Sequence, residues 1–456
     1  MTARFPLFLA ACAALAAGCA PGATPMPQPA SAARADGIAR SAVYEVFVRD
    51  FSPQGTFRGV VEGLDRIEAV GANVVWLMPI HPVGVQNRKG TLGSSYSVRD
   101  YRAVNPDYGT DEDFRALVRA VHGRGMKLII DWVPNHTAWD HVWVTRHPDF
   151  YTRDEAGRLS VPRNNEGELT DWTDVAELDY DNPRLRREMI ADMRYWLQEF
   201  DVDGFRVDMA GMVPDLFWHE AVPELRAAGA EILLAEWGDL RMHQMGFDLT
   251  YGWPTYHGLK DVWKGKKPAD AWVRAEVEEL RGMPAGGLRL RFTTNHDETA
   301  WDAPAVELFG GPAGARAAFV AMALLPGRPL VYNGQEVESP QRLPLFEKEP
   351  VDWNRPGAAE ARAFYRRVVD LSRTHPAFTG GDLQPVETDA PADVVAYRRG
   401  SVVVLANARP RPARVTVRGL DLGRARDLLN GGAHAGGPVA LPAHGAAVLE
   451  LAAPAR

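Results

Sequence analysis

The chain has 456 residues, of which 46% are hydrophobic and 24% charged, and its formal net charge is −8 at pH 7. That length allows one large domain plus a smaller one, and the composition is that of a folded globular protein. The acidic balance argues against nucleic acid as a partner and says nothing about neutral ligands.

The N-terminus reads as an export signal: Arg4 supplies a positive start, residues 5–17 an apolar run, and small residues follow. The run is too short to remain as a membrane-spanning helix. Leu15-Ala16-Ala17-Gly18-Cys19 resembles a bacterial lipobox, which makes residues 1–18 a lipoprotein signal peptide and Cys19 the lipidated residue. An ordinary signal peptide cleaved nearby is the alternative. The cysteines are Cys12 and Cys19, so cleavage before Cys19 leaves a single thiol with no partner for an internal disulfide. Residues 19–37 are rich in Pro and Ala, lack periodicity, and read as a tether. Ala20 after the Cys points to the outer membrane of a Gram-negative bacterium, by analogy with lipoprotein sorting, with the face left open.

From about residue 38 to 378, short apolar runs alternate with amphipathic stretches, a pattern that predicts a (β/α)8 barrel. Strands are predicted at 42–48, 73–77, 127–131, 203–208, 231–236, 247–250, 288–294 and 329–332. Helices are predicted at 111–122 and 183–200, among others. The first of these has Thr110 as N-cap, Asp113 at N3, and Phe114, Leu117, Val118 and Val121 on one face. Residues 137–181 interrupt the alternation with a polar excursion longer than an ordinary βα loop. Beyond residue 379 the pattern changes to short strands at 394–397, 401–406, 413–417 and 446–451, predicting a C-terminal β-sandwich.

Four of the barrel segments carry chemistry. Asp131-Trp132-Val133-Pro134-Asn135-His136, Gly204-Phe205-Arg206-Val207-Asp208, Glu231-Ile232-Leu233-Leu234-Ala235-Glu236 and Phe292-Thr293-Thr294-Asn295-His296-Asp297 each end an apolar run in a carboxylate, or carry His or Asn just beyond one. In a parallel barrel, residues at the strand C-termini converge on one mouth. Two carboxylates flanking a sugar bond are what glycoside hydrolysis needs. A strand-end carboxylate taken alone is more often a cap or an ion-pair partner, but four such segments in order form a specific pattern.

In that order and spacing the segments resemble the sequence regions of the α-amylase superfamily, glycoside hydrolase family 13, over roughly residues 40–450. The resemblance implies a retaining hydrolase of α-1,4-glucans, with Asp208 as nucleophile, Glu236 as acid/base and Asp297 as the third carboxylate. An acid at Glu236 needs a raised pKa, which the Asp208 charge nearby would supply. Arg206, two residues before Asp208 and on the same strand face, would keep Asp208 ionised and aligned. His136 and His296 resemble the family's sugar-contacting histidines, and Tyr96, in Gly93-Ser94-Ser95-Tyr96-Ser97, the platform beneath the sugar. Trp139, Trp143, Trp172, Trp237 and Trp301 fall in or near loops at the mouth, where rings could stack on glucose or simply stiffen the loops. The excursion at 137–181 corresponds to the family's domain B.

No cofactor is required on this reading. A structural calcium is implied only weakly, through Asn135 with Asp174, Glu177 and Asp179 as candidate oxygen donors. The loop from Asp50 to Thr56 holds one acid and predicts no calcium. Many endo-acting α-amylases carry Lys-His shortly after the nucleophile, whereas here Met209-Ala210-Gly211-Met212 follow Asp208. An exo-acting α-glucosidase or maltogenic amylase, or a glucan transglycosylase, therefore stands beside the endo reading. A non-catalytic glucan-binding lipoprotein is a remote third, since all three carboxylates are present.

Overall fold

The computed structural model describes residues 32–452. Cys12, Cys19, the signal segment and most of the expected tether lie outside the described residues. The predicted apolar runs fold as β1 (Val43–Val46), β2 (Val74–Leu77), β3 (Lys127–Trp132), β4 (Gly204–Val207), β5 (Ile232–Ala235), β6 (Leu249–Tyr251), β7 (Leu288–Arg291) and β8 (Arg328–Tyr332). Every adjacent pair is parallel, and β8 pairs back onto β1 to close an eight-stranded barrel. Helices cover its outer face, so the strands are buried on both sides and read as apolar runs without alternation. The helix Asp111–His122 has the predicted bounds and a full capping box between Thr110 and Asp113. The second predicted helix spans Pro183–Glu199.

Some expected bounds shift, among them the seventh strand, which ends at Arg291 and not at Thr294. The sixth strand was predicted at 247–250 but is Leu249–Tyr251. Asp248, just before it, still bonds through its backbone to Leu233 (2.9 Å) and Leu288 (3.2 Å), while its carboxylate accepts from Arg226 (2.6 Å) and from the Leu233 N–H (2.8 Å). Tyr251 points into the barrel, where its hydroxyl accepts from Arg206 Nε at 3.3 Å. The end of the segment expected to be an unstructured tether folds as a helix, Ala32–Ala39, with Ile38 buried and Arg34 paired to Asp248 at 2.8 Å.

After β3 the chain leaves the barrel. His136–Ala138 pairs antiparallel with Val175–Glu177, the two ends of the excursion. Tyrosine hydroxyls pin its root: Tyr101 donates to the Val133 carbonyl at 2.6 Å and Tyr180 to the Pro134 carbonyl at 2.8 Å. Behind them, Tyr101, Trp132, Trp143, Trp196 and His81 form a buried aromatic cluster.

The C-terminal region contains β9 (Leu383–Pro385), β10 (Val394–Arg399), β11 (Val402–Asn407), β12 (Ala413–Val415), β13 (Arg426–Asp427), β14 (Val439–Leu441) and β15 (Ala446–Glu450). Five form an antiparallel sheet in the order β9-β10-β11-β15-β13, facing a second sheet of β12 and β14. Val394, Ala396, Val403 and Leu405 pack with Val415, Val439 and Leu441 between the sheets. Val395, Tyr397, Val402 and Val404 point the other way and join the barrel's core. The strand period of two thus splits β10 and β11 between two cores. Tyr397 donates to the Ala321 carbonyl at 3.1 Å across that junction.

His141, at the start of the short helix Val142–Arg146, is buried and accepts from the Trp143 N–H through Nδ1 at 3.1 Å. Burial, with His81 and Arg146 adding to it, pushes its pKa down to about 3. The folded state thus excludes a proton that the unfolded chain binds near 6.5. Its stabilisation is complete above that value and is lost as pH falls from about 6.5 toward 3. In His141→Asn, which keeps the capping acceptor, the fall of Tm between pH 6.5 and 4 is expected to be shallower than in the wild type. An unchanged slope in thermal melts across that range would refute the assignment.

Candidate active site

Five side chains meet inside the barrel near the C-terminal ends of its strands: Glu45 from β1, Trp76 from β2, Asp131 from β3, Arg206 from β4 and Tyr251 from β6. Arg206 is completely buried. Its Nη1 donates to Asp131 Oδ1 at 2.8 Å and to Asp208 Oδ1 at 3.1 Å, and its Nη2 lies 2.9 Å from Glu236 Oε2. Nε donates to the Tyr251 hydroxyl at 3.3 Å. The guanidinium also lies 5.0 Å from the Trp76 ring centre and 5.7 Å from that of Tyr96. A planar, always-charged fork is the side chain that can hold three carboxylates at fixed angles.

Asp131 fixes the next layer. Its Oδ2 accepts from Trp76 Nε1 at 3.2 Å and from the Tyr96 hydroxyl at 3.1 Å. Tyr96 in turn lies 2.7 Å from His296 Nε2, with the two rings stacked at 5.3 Å. The other imidazole nitrogen, Nδ1, meets Glu45 Oε1. Asp297 follows, its Oδ2 3.4 Å from His296 Nε2 and its side chain 36% exposed in the cleft. The chain after Asp297 runs as a single turn of π-helix, Glu298–Asp302, a form often found at functional sites.

Asp208 directly follows β4, and Met209 then takes a left-handed conformation at φ 44°. This is a strained position for a side-chain-bearing residue and is typical of sites that must aim a group. It directs the Met209 N–H to Glu236 Oε2 at 3.0 Å. Two residues on, Gly211 lies flat against Trp237, where a Cβ would fall 2.2 Å from the indole.

Tyr96, His136, Asp208, Glu236, His296 and Asp297 line one cleft, with Trp172 and Trp301 on its walls. Arg206 lies beneath its floor. His136 is buried beside Trp172.

The electrostatics follow from the count. Glu45, Asp131, Asp208, Glu236 and Asp297 share two cations, Arg206 and His296. Burial pushes Asp131 up to about 6, against the pull of Arg206. Burial, then the charge of Glu236, raises Asp208 well above the usual carboxylate range. Arg206 was expected to keep Asp208 ionised; it opposes the rise but does not outweigh it. A proton therefore stays in this cluster at a pH where an isolated aspartic acid would be ionised. Burial alone would lower His296, but Asp297 and Glu45 outweigh it and bring His296 up to about 9. His136 has no such partner, and burial takes it down to about 3, so it stays neutral.

Several expectations are corrected here. Trp143 is not at the mouth but in the aromatic cluster beneath the excursion, 4% exposed. Trp139 faces a separate groove with Arg158 and Leu159, and Trp237 a shallow extension of the cleft with Trp253. The carboxylates suggested for calcium have protein partners. Asp174 pairs with Lys89 at 3.1 Å, the Glu177 oxygens accept from Thr152 and the Arg163 N–H, and Asp179 accepts from the Asp181 N–H. Among the described residues no group of three or more His, Cys, Asp or Glu side chains could hold a metal. Glu45, Trp76, Tyr251 and Trp253 belong to the site or its margin and carried no motif. A carboxylate in the middle of the apolar run 42–48 was the one available sign for Glu45.

A carboxylate cluster on the C-terminal mouth of a parallel barrel is the arrangement that a barrel glycoside hydrolase uses. A family profile described as "Alpha amylase, catalytic domain" matches residues 29–243. An α-amylase structure from Lactobacillus plantarum aligns with a TM-score of 0.79 at 30% identity, covering 91% of this chain and 100% of that one. A noncanonic maltogenic α-amylase from Thermotoga neapolitana aligns with a TM-score of 0.77 at 30% identity, covering 91% and 97%. The α-amylase MalA of Haloarcula japonica is 29% identical over 408 residues, which are 86% of this chain and 58% of that protein. The chain thus spans under two thirds of that curated relative. It belongs to the α-amylase family.

Replacing Glu45 by Gln removes one of the two negative charges that hold the His296 proton. The imidazole is expected to titrate below its value of about 9, read as its own resonance in a histidine NMR titration. A midpoint that does not move would exclude Glu45 as a determinant.

Proposed function

We propose that the protein is a retaining α-glucan hydrolase that cleaves α-1,4-glucosidic bonds in starch or maltodextrin. The observation that carries this reading is the attachment of Asp208 and Glu236 to one buried guanidinium, with Asp297 beside them in the same cleft. Two carboxyl groups held as neighbours suit a double displacement, in which the pair stands about 5–5.5 Å apart. Asp208 attacks the anomeric carbon as the glycosidic C–O bond breaks, and the Glu236 proton passes to the leaving oxygen. Glu236 then takes a proton from water, which displaces Asp208 and restores the original configuration. The reaction needs the cluster's proton on Glu236 and Asp208 ionised when the glucan is bound. The excess of carboxylates over cations favours the positive charge that builds on the sugar in the transition state.

His136, His296 and Tyr96 would surround the sugar under attack, and Arg206 would set the angle of both carboxylates. We propose no required metal, so activity should survive a chelator. We further propose export as a lipoprotein anchored through Cys19, supported by the lipobox-like segment. The apolar turn Met209-Ala210-Gly211-Met212 beyond Asp208 keeps exo action and transglycosylation open, since it offers no cation to a bound acceptor sugar.

Product analysis on soluble starch and maltoheptaose tests the reading, with the first anomer identified by NMR. The α-anomer is expected first, products should vanish in Asp208→Asn, and Glu236→Gln should lose about 100- to 10,000-fold in rate. Starch binding without new reducing ends would instead favour a non-catalytic binding protein, and initial release of the β-anomer would exclude retention.

A further inference from the structure

The two ends of the cleft differ. On one side of Glu236 it runs into a shallow, open extension floored by Met209, Trp237, Gly238, Trp253 and Pro254. Of the six cleft residues given sugar-facing or catalytic roles above, that extension holds Glu236 alone. The other end holds Tyr96, His136, His296 and Asp297, and Lys89, Leu345 and Phe346 line the cleft beside them. Since Glu236 gives its proton to the leaving oxygen, the leaving group lies over the Trp237–Trp253 floor. The sugar under attack and anything on its non-reducing side lie toward Lys89.

Lys89 belongs to a strap, residues 88–93 of the long loop after β2, which is tied on both sides. Toward the excursion, Lys89 Nζ pairs with Asp174 at 3.1 Å and donates to the Asp171 carbonyl at 3.4 Å. Toward the loop after β8, the Thr91 N–H donates to Glu347 Oε1 at 2.7 Å and the Leu92 N–H to the Phe346 carbonyl at 3.0 Å. Arg49, buried below, donates from one nitrogen to the carbonyls of both Gly93 (3.0 Å) and Leu345 (2.9 Å). At the crest, Gly90 has φ +62°, and a Cβ there would meet the Phe346 Cβ at 2.6 Å, so the two loops touch where a side chain would hold them apart. Ties that include backbone hydrogen bonds and a buried arginine make a wall rather than a lid.

We infer that this strap terminates the non-reducing side of the binding cleft, so that the enzyme works from chain ends and releases a short product of fixed length. Lys89, Gly90 and Glu347 are then the residues that set product length. The inference rests on the proposed role of Glu236 as acid, which gives the cleft its direction.

The test compares maltoheptaose with maltoheptaose whose non-reducing end carries a bulky acetal, both given to the full-length protein. Wild type should convert the free heptaose to one dominant short oligosaccharide and act on the blocked form at least about 100-fold more slowly, since the wall rejects the added group. The double variant Lys89→Ala/Glu347→Ala, with both side-chain ties cut, should narrow that ratio and broaden the early products. Comparable rates on the two substrates, or mixed early products from free heptaose in the wild type, would overturn the strap's role. Turnover of neither substrate would reject the hydrolase reading itself and the inference with it.

Discussion

One buried positive charge organises the mouth of this barrel. Arg206 has no access to water, and its partners are three carboxylates from three strand ends and a tyrosine hydroxyl from a fourth strand. Removing one side of such a cluster costs about 3–5 kcal/mol, because the charges left behind are buried without a partner. The same energy explains its rigidity: Asp131 cannot rotate without breaking its bonds to Arg206, Trp76 and Tyr96 together. Positional precision at Asp208 and Glu236 is thus inherited from a residue beneath the cleft.

Charge imbalance then separates the members of the site by protonation. The imidazole between Glu45 and Asp297 is kept positive, while the one beside Trp172, with no carboxylate partner, is kept neutral. Two histidines that look equivalent as residues after a strand end therefore present different hydrogen-bonding groups to a ligand. The distinction comes from the carboxylates beside each ring: Asp297, next in sequence to His296, and Glu45, which reaches it from a strand 251 residues earlier in the chain.

Much of this arrangement was legible in the sequence, for a physical reason. Strands covered on both faces must be apolar throughout, so a terminal carboxylate stands out, and Asp208, Glu236 and Asp297 all lie in the cleft that such reasoning predicts. What was missed lacked that contrast. Glu45 interrupts an apolar run in its middle and not at its end, and Tyr251 is an inward residue of a strand whose facing cannot be told from an apolar run. Trp143 was misplaced because loop position does not distinguish a ring packed under a loop from one displayed on it. The short strands β9, β13 and β14 escaped because two or three residues carry no periodicity. The direction of the Asp208 shift needed the burial and the neighbouring charge, neither of which is local in sequence.

The division of β10 and β11 between two cores bears on how the chain could be shortened or rearranged. Val395, Tyr397, Val402 and Val404 belong to the barrel's interior as fully as any helix residue does. A barrel cut off before residue 394 would show water an apolar face over the helices Ala269–Arg281 and Pro312–Ala323, the kind of surface on which proteins aggregate. The C-terminal sheets, although they line no part of the cleft, are therefore part of the barrel's solubility and are inseparable from it as a module.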